Sequence, residues 1–258
     1  MNLVLLYDED FLIPCSSKEE NHPERSSGLP QKVRLTGRRF EHVQDILKVS
    51  RGQELTVGKV NGLIGQGKVL ELSKDSLTMD VSFKQKPPAS LHLTLIMALP
   101  RPPMLKRSLQ CAASLGVKKI IILNFSRVEK SLWQSSALRP EAIEQELILG
   151  LEQAKDTVSP EVVLEKRFKP FVEDQLPALI KDKEAFVFHP TGDSLRLGQL
   201  PPMEAVPSFN KVFIIGPEGG LVDFEVDLLK EKGVKAVTLG ERILRFENVI
   251  PYVIGKMS

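Results

Sequence analysis

The apolar positions of the chain change rhythm once, and that change divides it. Over residues 1–85 they come in short runs, at 3–6, 53–57, 67–72 and 77–83, β-branched or alternating, with Gly, Asn, Ser and Asp between. Short alternating runs separated by turn residues predict a small barrel or sandwich of strands. One helix interrupts them: Phe40, Val43, Ile46 and Leu47 fall at helical spacing within residues 38–48. Past residues 84–90, Lys-Gln-Lys-Pro-Pro-Ala-Ser, the runs become near-continuous, at 91–99, 120–125, 185–188, 212–215 and 236–239. Such runs fit strands buried on both faces of a parallel sheet. Helical patterns at 104–115, 139–154, 223–232 and 247–256 lie between them, so strand and helix alternate as in an α/β domain. The expected organisation is a β-rich unit at 1–85, a proline-stiffened linker at 86–90 and an α/β domain at 91–258. Residues 192–210, with Pro201, Pro202 and Pro207, read as a loop, and no internal repeat is visible.

Composition adds exclusions. The 258-residue chain is 42% hydrophobic and 26% charged, ordinary for a globular protein with a real core. No apolar run approaches a membrane span, and the opening MNLVLLYDEDF lacks the basic start of a signal peptide, so the cytoplasm is the expected compartment. Cys15 and Cys111 form no paired motif, and His22, His42, His92 and His189 have no metal-ligand spacing. Neither a disulfide framework nor a metal is expected. The net charge of +2 says little, but its distribution says more. Lys32, Arg34, Arg38, Arg39, Lys48 and Arg51 stand against only Glu41 and Asp45 in the same stretch, and Arg101, Lys106 and Arg107 follow the run at 91–99. Such clusters suit phosphate contact or, equally, a solvated face.

Two glycine-rich segments compete for attention. Gly62-Leu-Ile-Gly-Gln-Gly-Lys68 has the spacing of a phosphate-binding loop up to its lysine. Val69 follows where a Ser or Thr would hold magnesium, and residues 68–72 read as a strand, not the helix that would aim amides at phosphate. It is a hairpin. The stronger segment is Val212-Phe-Ile-Ile-Gly-Pro-Glu-Gly-Gly220, a buried strand running into glycines, with Asp223 placed to cap the next helix. Glycines there permit close backbone approach, at the edge where open α/β sheets bind ligands. A tight turn alone would need only one or two. The arrangement recurs at Val237-Thr-Leu-Gly-Glu-Arg-Ile-Leu-Arg-Phe-Glu247. Taken alone, that second segment fits equally well a core pair flanked by surface charges.

Together, I-G-P-E-G-G and L-G-x-R-I-L-R resemble the paired motifs of the RsmE family, the bacterial 16S ribosomal RNA uridine-N3 methyltransferases of the SPOUT superfamily. The resemblance runs along nearly the whole chain, through His42, Ile46-Leu-Lys48 and Gly52, Gln110 and Leu115-Gly-Val117, Ser126-Arg-Val128, Glu152-Gln153 with Pro160-Glu-Val162, and His189-Pro190. It departs at Cys111 and Ser114, where the family usually has Lys and Glu, and at Phe246 and Asn248, where it has Thr. The family's arginines near the N-terminus and soon after Gln153 are also missing.

The resemblance implies a PUA-like β-barrel, then a SPOUT-type α/β domain with a C-terminal trefoil knot, acting as a homodimer on RNA of the small ribosomal subunit. S-adenosylmethionine would be held mainly by backbone groups of the knot loops. On this chain those loops supply Phe188, His189 and Pro190, then Ile215, Gly216, Pro217, Glu218, Gly219 and Gly220, then Leu239, Gly240, Arg242, Ile243 and Leu244. Methylating uracil N3 requires removal of its proton and stabilisation of charge on the ring oxygens. Arg245 is the expected contact to a phosphate or to that oxyanion, and Glu247 the base or the group orienting Arg245. Arg38, Arg39, Lys48, Arg51 and Arg127 are the expected RNA contacts. Two alternatives stay open: another SPOUT RNA methyltransferase, acting on ribose or a different base, and a non-catalytic RNA-binding module.

Overall fold

The computed structural model describes residues 2–12, 31–190, 195–196 and 211–257. Cys15, His22 and the three prolines of the 192–210 loop lie outside the described residues. The chain forms two compact units, Met1–Ala89 with Leu151–Ser159, and Ser90–Gly150 with Pro160–Ser258.

The first unit is a curled five-stranded sheet, β1 (Val4–Leu6), β2 (Gln31–Thr36), β3 (Glu54–Lys59), β4 (Ile64–Leu72) and β5 (Ser76–Gln85), in the order β1-β3-β4-β5-β2. All pairs are antiparallel except β1 with β3. A bridge from Phe11 to Val33 brings the chain that leaves β1 onto β2, so the two edges of the sheet approach each other as in a PUA-like barrel. Alternation fills the inside: Val33 and Leu35 from β2, and Leu77, Met79 and Val81 from β5, meet Phe40 and Val43 of α1 (Gly37–Asp45). Strand β2 escapes the sequence reading because its two apolar residues stand among Lys32, Arg34 and Thr36. The phosphate-loop look-alike lies in the β3–β4 hairpin, and its glycines serve packing. A Cβ on Gly65 would overlap the Ser82 carbonyl, and one on Gly67 would sit 2.9 Å from Val57 Cγ1.

Residues 151–159 return to this unit, which the sequence boundary at 86–90 does not anticipate. The Asn61 amide donates to the Thr157 carbonyl (2.7 Å), and the Thr157 hydroxyl donates to the Gly62 carbonyl (2.5 Å). Arg38 reaches the Glu152 carboxylate at 3.1 Å, and that carboxylate is 1% exposed. Burial pushes the Glu152 carboxyl above its ordinary range, while Arg38 pulls it back.

The second unit is a parallel sheet of seven strands, β6 (Leu91–Ala98), β7 (Val117–Leu123), β8 (Glu161–Glu165), β9 (Glu184–Phe188), β10 (Leu195–Arg196), β11 (Lys211–Ile215) and β12 (Lys235–Thr238). Their order is β10-β12-β9-β11-β6-β7-β8. Helices α2 (Pro102–Ser114), α3 (Pro140–Ala154), α4 (Phe168–Pro170), α5 (Leu176–Ile180), α6 (Asp223–Glu231) and α7 (Phe246–Met257) connect or follow the strands. The central β11 is buried at every residue, which is why its sequence carries no alternation. Three expectations need correction. Strand β10 lies within the stretch that reads as a loop, β8 and the helical residues 168–180 are additions to the expected elements, and Val222 rather than Asp223 occupies the N-cap of α6. Among the described residues no helix is long and apolar enough to cross a membrane.

Replacing Arg38 with Met keeps most of the side-chain packing but strips the cation from a buried carboxylate. We expect a loss of about 1–2 kcal/mol, below the figure for fully buried pairs because Arg38 is partly exposed. Since the folded-state pKa of Glu152 is raised, stability is retained at acid pH and lost as pH rises through that value. Urea denaturation should therefore show a larger deficit at pH 8 than at pH 5; equal deficits would mean the pair matters only through packing.

Candidate active site

Strands β12, β9 and β11 are neighbours, and their register brings their carboxyl ends level. Phe188 is opposite Ile215 on one side and Val237 on the other. The His189 amide donates to the Val237 carbonyl at 3.0 Å and prolongs the pairing by one residue. The loops at 188–190, 216–220 and 239–244, which carry the residues expected to hold the cofactor, thus leave the sheet side by side. Phe188 and Ile215 are buried, His189 is half-buried, and Pro190 is exposed. The Phe188 ring packs edge-on against Phe213 at 5.2 Å, fixing the floor beneath the loops.

The loop at 216–220 has little freedom. A Cβ on Gly216 would lie 2.8 Å from Leu221 Cγ, so only glycine fits without a shift. The Gly220 amide closes a turn on the Pro217 carbonyl (2.8 Å), and Gly220 has φ +76. Gly240 has φ +115, and nothing lies within 4 Å of the point where a Cβ would stand, which leaves its backbone open to a ligand. On either side of it Leu239 and Leu244 are half-buried, while Arg242 is exposed and Ile243 is 92% exposed.

Two side chains brace this edge. Arg127 donates from Nη1 to the Gly219 carbonyl, so the residue expected to touch RNA also supports the glycine loop. Glu225, fully buried, accepts from the Ser126 amide (2.7 Å) and the Val222 amide (3.0 Å). It caps α6 from its third position and ties that helix start to the loop after β7. Sequence reasoning missed it because Val222 gives no sign of an N-cap. The His189 imidazole is held below its ordinary pKa, first by burial and then by Arg127 and Lys230, with Asp223 opposing.

Arg245 stands exposed just before α7, and Glu247 is half-buried in its first turn, where a negative charge complements the helix dipole. Among the described residues neither side chain has an ion pair or hydrogen bond, nor does Arg242, so the Arg245–Glu247 pairing foreseen as one option is not formed. Phe246 between them is buried and anchors the helix start.

The basic residues of the first unit divide. Arg39 grips Asp10 with both guanidinium nitrogens (2.5 and 2.9 Å), donates to the Leu5 carbonyl (2.8 Å) and lies 4.8 Å from the Tyr7 ring centre. It builds the fold, and Arg38 is engaged by Glu152. Lys48 and Arg51 are exposed, next to exposed Ile46 and Leu47. Among the described residues no group of three His, Cys, Asp or Glu is placed to hold a metal.

The RNA methyltransferase domain family model matches residues 87–258. The Ribosomal RNA small subunit methyltransferase E of Treponema pallidum is 28% identical over 250 residues, covering 96% of this chain and 87% of that protein. The crystal structure of a Ribosomal RNA small subunit methyltransferase E from Neisseria gonorrhoeae, bound to S-adenosyl methionine, aligns with TM-score 0.70 and 22% identity over 100% of this chain and 95% of that one. A putative methyltransferase from Legionella pneumophila, in complex with the same cofactor, aligns with TM-score 0.72 and 21% identity over 100% and 97%. These two structures share the fold, curled sheet and parallel sheet included.

Substituting Glu225 with Ala leaves two backbone amides without their charged acceptor. The expected cost is about 2–3 kcal/mol in chemical denaturation, together with faster hydrogen exchange at Ser126 and Val222. Glu225→Gln keeps one oxygen and should fall between. A loss below about 0.5 kcal/mol, the scale of an ordinary surface substitution, would mean that water replaces the carboxylate.

Proposed function

The chain belongs to the RNA methyltransferase domain family, whose model takes in residues 87–258, and on that premise we propose that it methylates N3 of a uridine in small-subunit ribosomal RNA, with S-adenosylmethionine as donor. The observation that carries the reading is the level emergence of three loops, two of them glycine-bearing, from β9, β11 and β12. The names of relatives aligned over most of the chain support the substrate class.

The residues fit the donor. Leu239, directly after β12, and Leu244 offer apolar surface that suits an adenine ring, and Gly240, with nothing within 4 Å of the point where a Cβ would stand, offers backbone unshielded by side chains. When bound, the donor supplies a sulfonium-activated methyl group. What remains for the protein is to position the uracil nitrogen and manage its proton. Arg245 offers an unengaged planar fork for a phosphate or for the oxygen that gains charge, and Glu247 lies in reach of the same helix start to accept a proton or steer that arginine. The neutral tendency of His189 removes a competing positive charge from the rim. A base must be unstacked to react, so Lys48 and Arg51 would hold the RNA backbone while the loop rim selects the base.

The same reading includes a C-terminal knot and a homodimer. After β11 the chain crosses β9 to insert β12 between β9 and β10, strands laid down earlier, which a threaded chain requires. Ile243, Phe224 and Tyr252 expose apolar surface that a second subunit would cover. A ribosomal substrate places the protein in the cytoplasm.

Nucleoside mass spectrometry of ribosomal RNA from cells with and without the gene tests the product: N3-methyluridine should disappear, whereas loss of a ribose-methylated nucleoside would move the chain to another SPOUT activity. Arg245→Lys should keep donor affinity and lower single-turnover methylation by on the order of 10²-fold, because an ammonium cannot reproduce the fork. An undiminished rate would remove Arg245 from the chemistry. Neutralising Lys48 and Arg51 together should reduce the salt dependence of RNA binding by close to two counterions; an unchanged slope would leave them as solvated charges.

A further inference from the structure

The carboxyl edge of the parallel sheet continues beyond the glycine loops, past β6 and β7 to the edge strand β8. Next to residues 217–219 it holds a cleft of about 150 Å³ lined in part by Arg101 and Arg127. Farther along, the chain after β7 and the end of β8 enclose a larger hollow of about 330 Å³. Trp133, the only tryptophan in the chain, forms its wall, with Arg139, Lys166, Ser135, Ser136 and Leu164 around it.

The indole is fixed in place. Its Nε1–H donates to Asn124 Oδ1 at 2.8 Å, and the Asn124 amide donates to the Glu165 carbonyl at 2.8 Å, so the ring is pinned across the ends of β7 and β8. It nonetheless stays partly exposed. Lys166 Nζ lies 6.0 Å from the ring centre. No acidic side chain lines the hollow, and among the described residues neither Arg139 nor Lys166 has a carboxylate partner. A core tryptophan would be covered, and a surface cation pair would ordinarily find an acid nearby. A rigid, partly exposed indole with Lys166 over its ring, and Arg139 and two serines lining the same hollow, matches a nucleotide instead, the base stacking and the phosphate pairing with the cations.

We propose that this hollow is an RNA subsite, in which one unpaired base stacks on Trp133 and the adjoining phosphate is held by Arg139 and Lys166. It rests on the RNA methyltransferase reading and adds to it a place for a nucleotide other than the one methylated. Neighbouring strands lie about 4.8 Å apart, so β8, three strands from β11, sets the subsite roughly 14 Å from the loop at 216–220. A single strand crosses that distance in a few nucleotides, past Arg101, which pairs with Glu129, and Arg127, which holds the Gly219 carbonyl.

The lone tryptophan reports on its own site. Titrating the full-length protein with a short single-stranded RNA should quench its emission saturably, and the quench should weaken with salt. Anisotropy of a labelled copy of the same RNA measures binding independently. Trp133→Ala should weaken RNA binding about tenfold, within the range for loss of one stacked base, while Trp133→Phe restores most of it. Arg139→Gln with Lys166→Gln should weaken binding similarly while leaving an indole to be read. In methylation assays the Trp133→Ala loss should fall on KM for RNA more than on kcat, with donor affinity unchanged by calorimetry. RNA binding without quenching overturns the subsite, as does quenching that follows protein concentration alone, which would mark the hollow as a contact between copies. Quenching with no methylation of any RNA would instead sink the activity and leave the subsite standing.

Discussion

Every strand of a parallel sheet hands its loop to the same edge, and the register between neighbours sets the level at which the loops appear. In this chain the decisive pairing is that of Phe188, opposite Ile215 and Val237 at once. Shift β12 by one residue and Gly240 would withdraw while every side chain of that strand changed face. The braces around the edge make sense only on that foundation. Glu225 joins the start of α6 to Ser126, and Arg127 holds the Gly219 carbonyl, so the loop with least side-chain substance is held from two directions.

The chain spends its basic residues in two ways, and its buried acids determine which. Asp10 and Glu152 are nearly inaccessible, and each takes an arginine that the linear charge pattern would have assigned to nucleic acid. Such pairs are costly to break from one side, since a buried charge is then left alone. Lys48, Arg51, Arg139 and Lys166 have no such obligation, and they lie where the chain meets solvent. The cationic surface available for phosphate is what the acids, buried and exposed, leave over.

Much of this was legible in the sequence where one physical rule dominates. Continuous apolar runs marked β6, β9, β11 and β12 because both faces of those strands are covered. Glycines flagged the loops because Gly216 has no room for a Cβ and Gly220 and Gly240 take a positive φ. Legibility failed where a second rule interfered. Strand β2 hides its alternation behind cations, and β8, a half-covered edge strand, offers only Val162, Val163 and Leu164 between glutamates. The roles of Arg39 and Glu225 depend on partners distant along the chain or on backbone amides, and neither leaves a mark in local spacing. The Trp133 hollow is assembled from the turns after β7 and the end of β8, so no single stretch of sequence contains it.

The first unit is discontinuous, and this gives it a history. Its strands are all complete by Gln85, yet the carboxylate that neutralises Arg38 and the threonine that caps the β3–β4 turn belong to residues 151–159. A chain emerging from its N-terminus must therefore hold an unfinished barrel while the opening strands of the other unit, β6 and β7, are being made. Maturation of the first unit is tied to the progress of the second. The order of assembly is thus written into the path of the chain: the strands that are synthesised first wait on residues 151–159 to be completed.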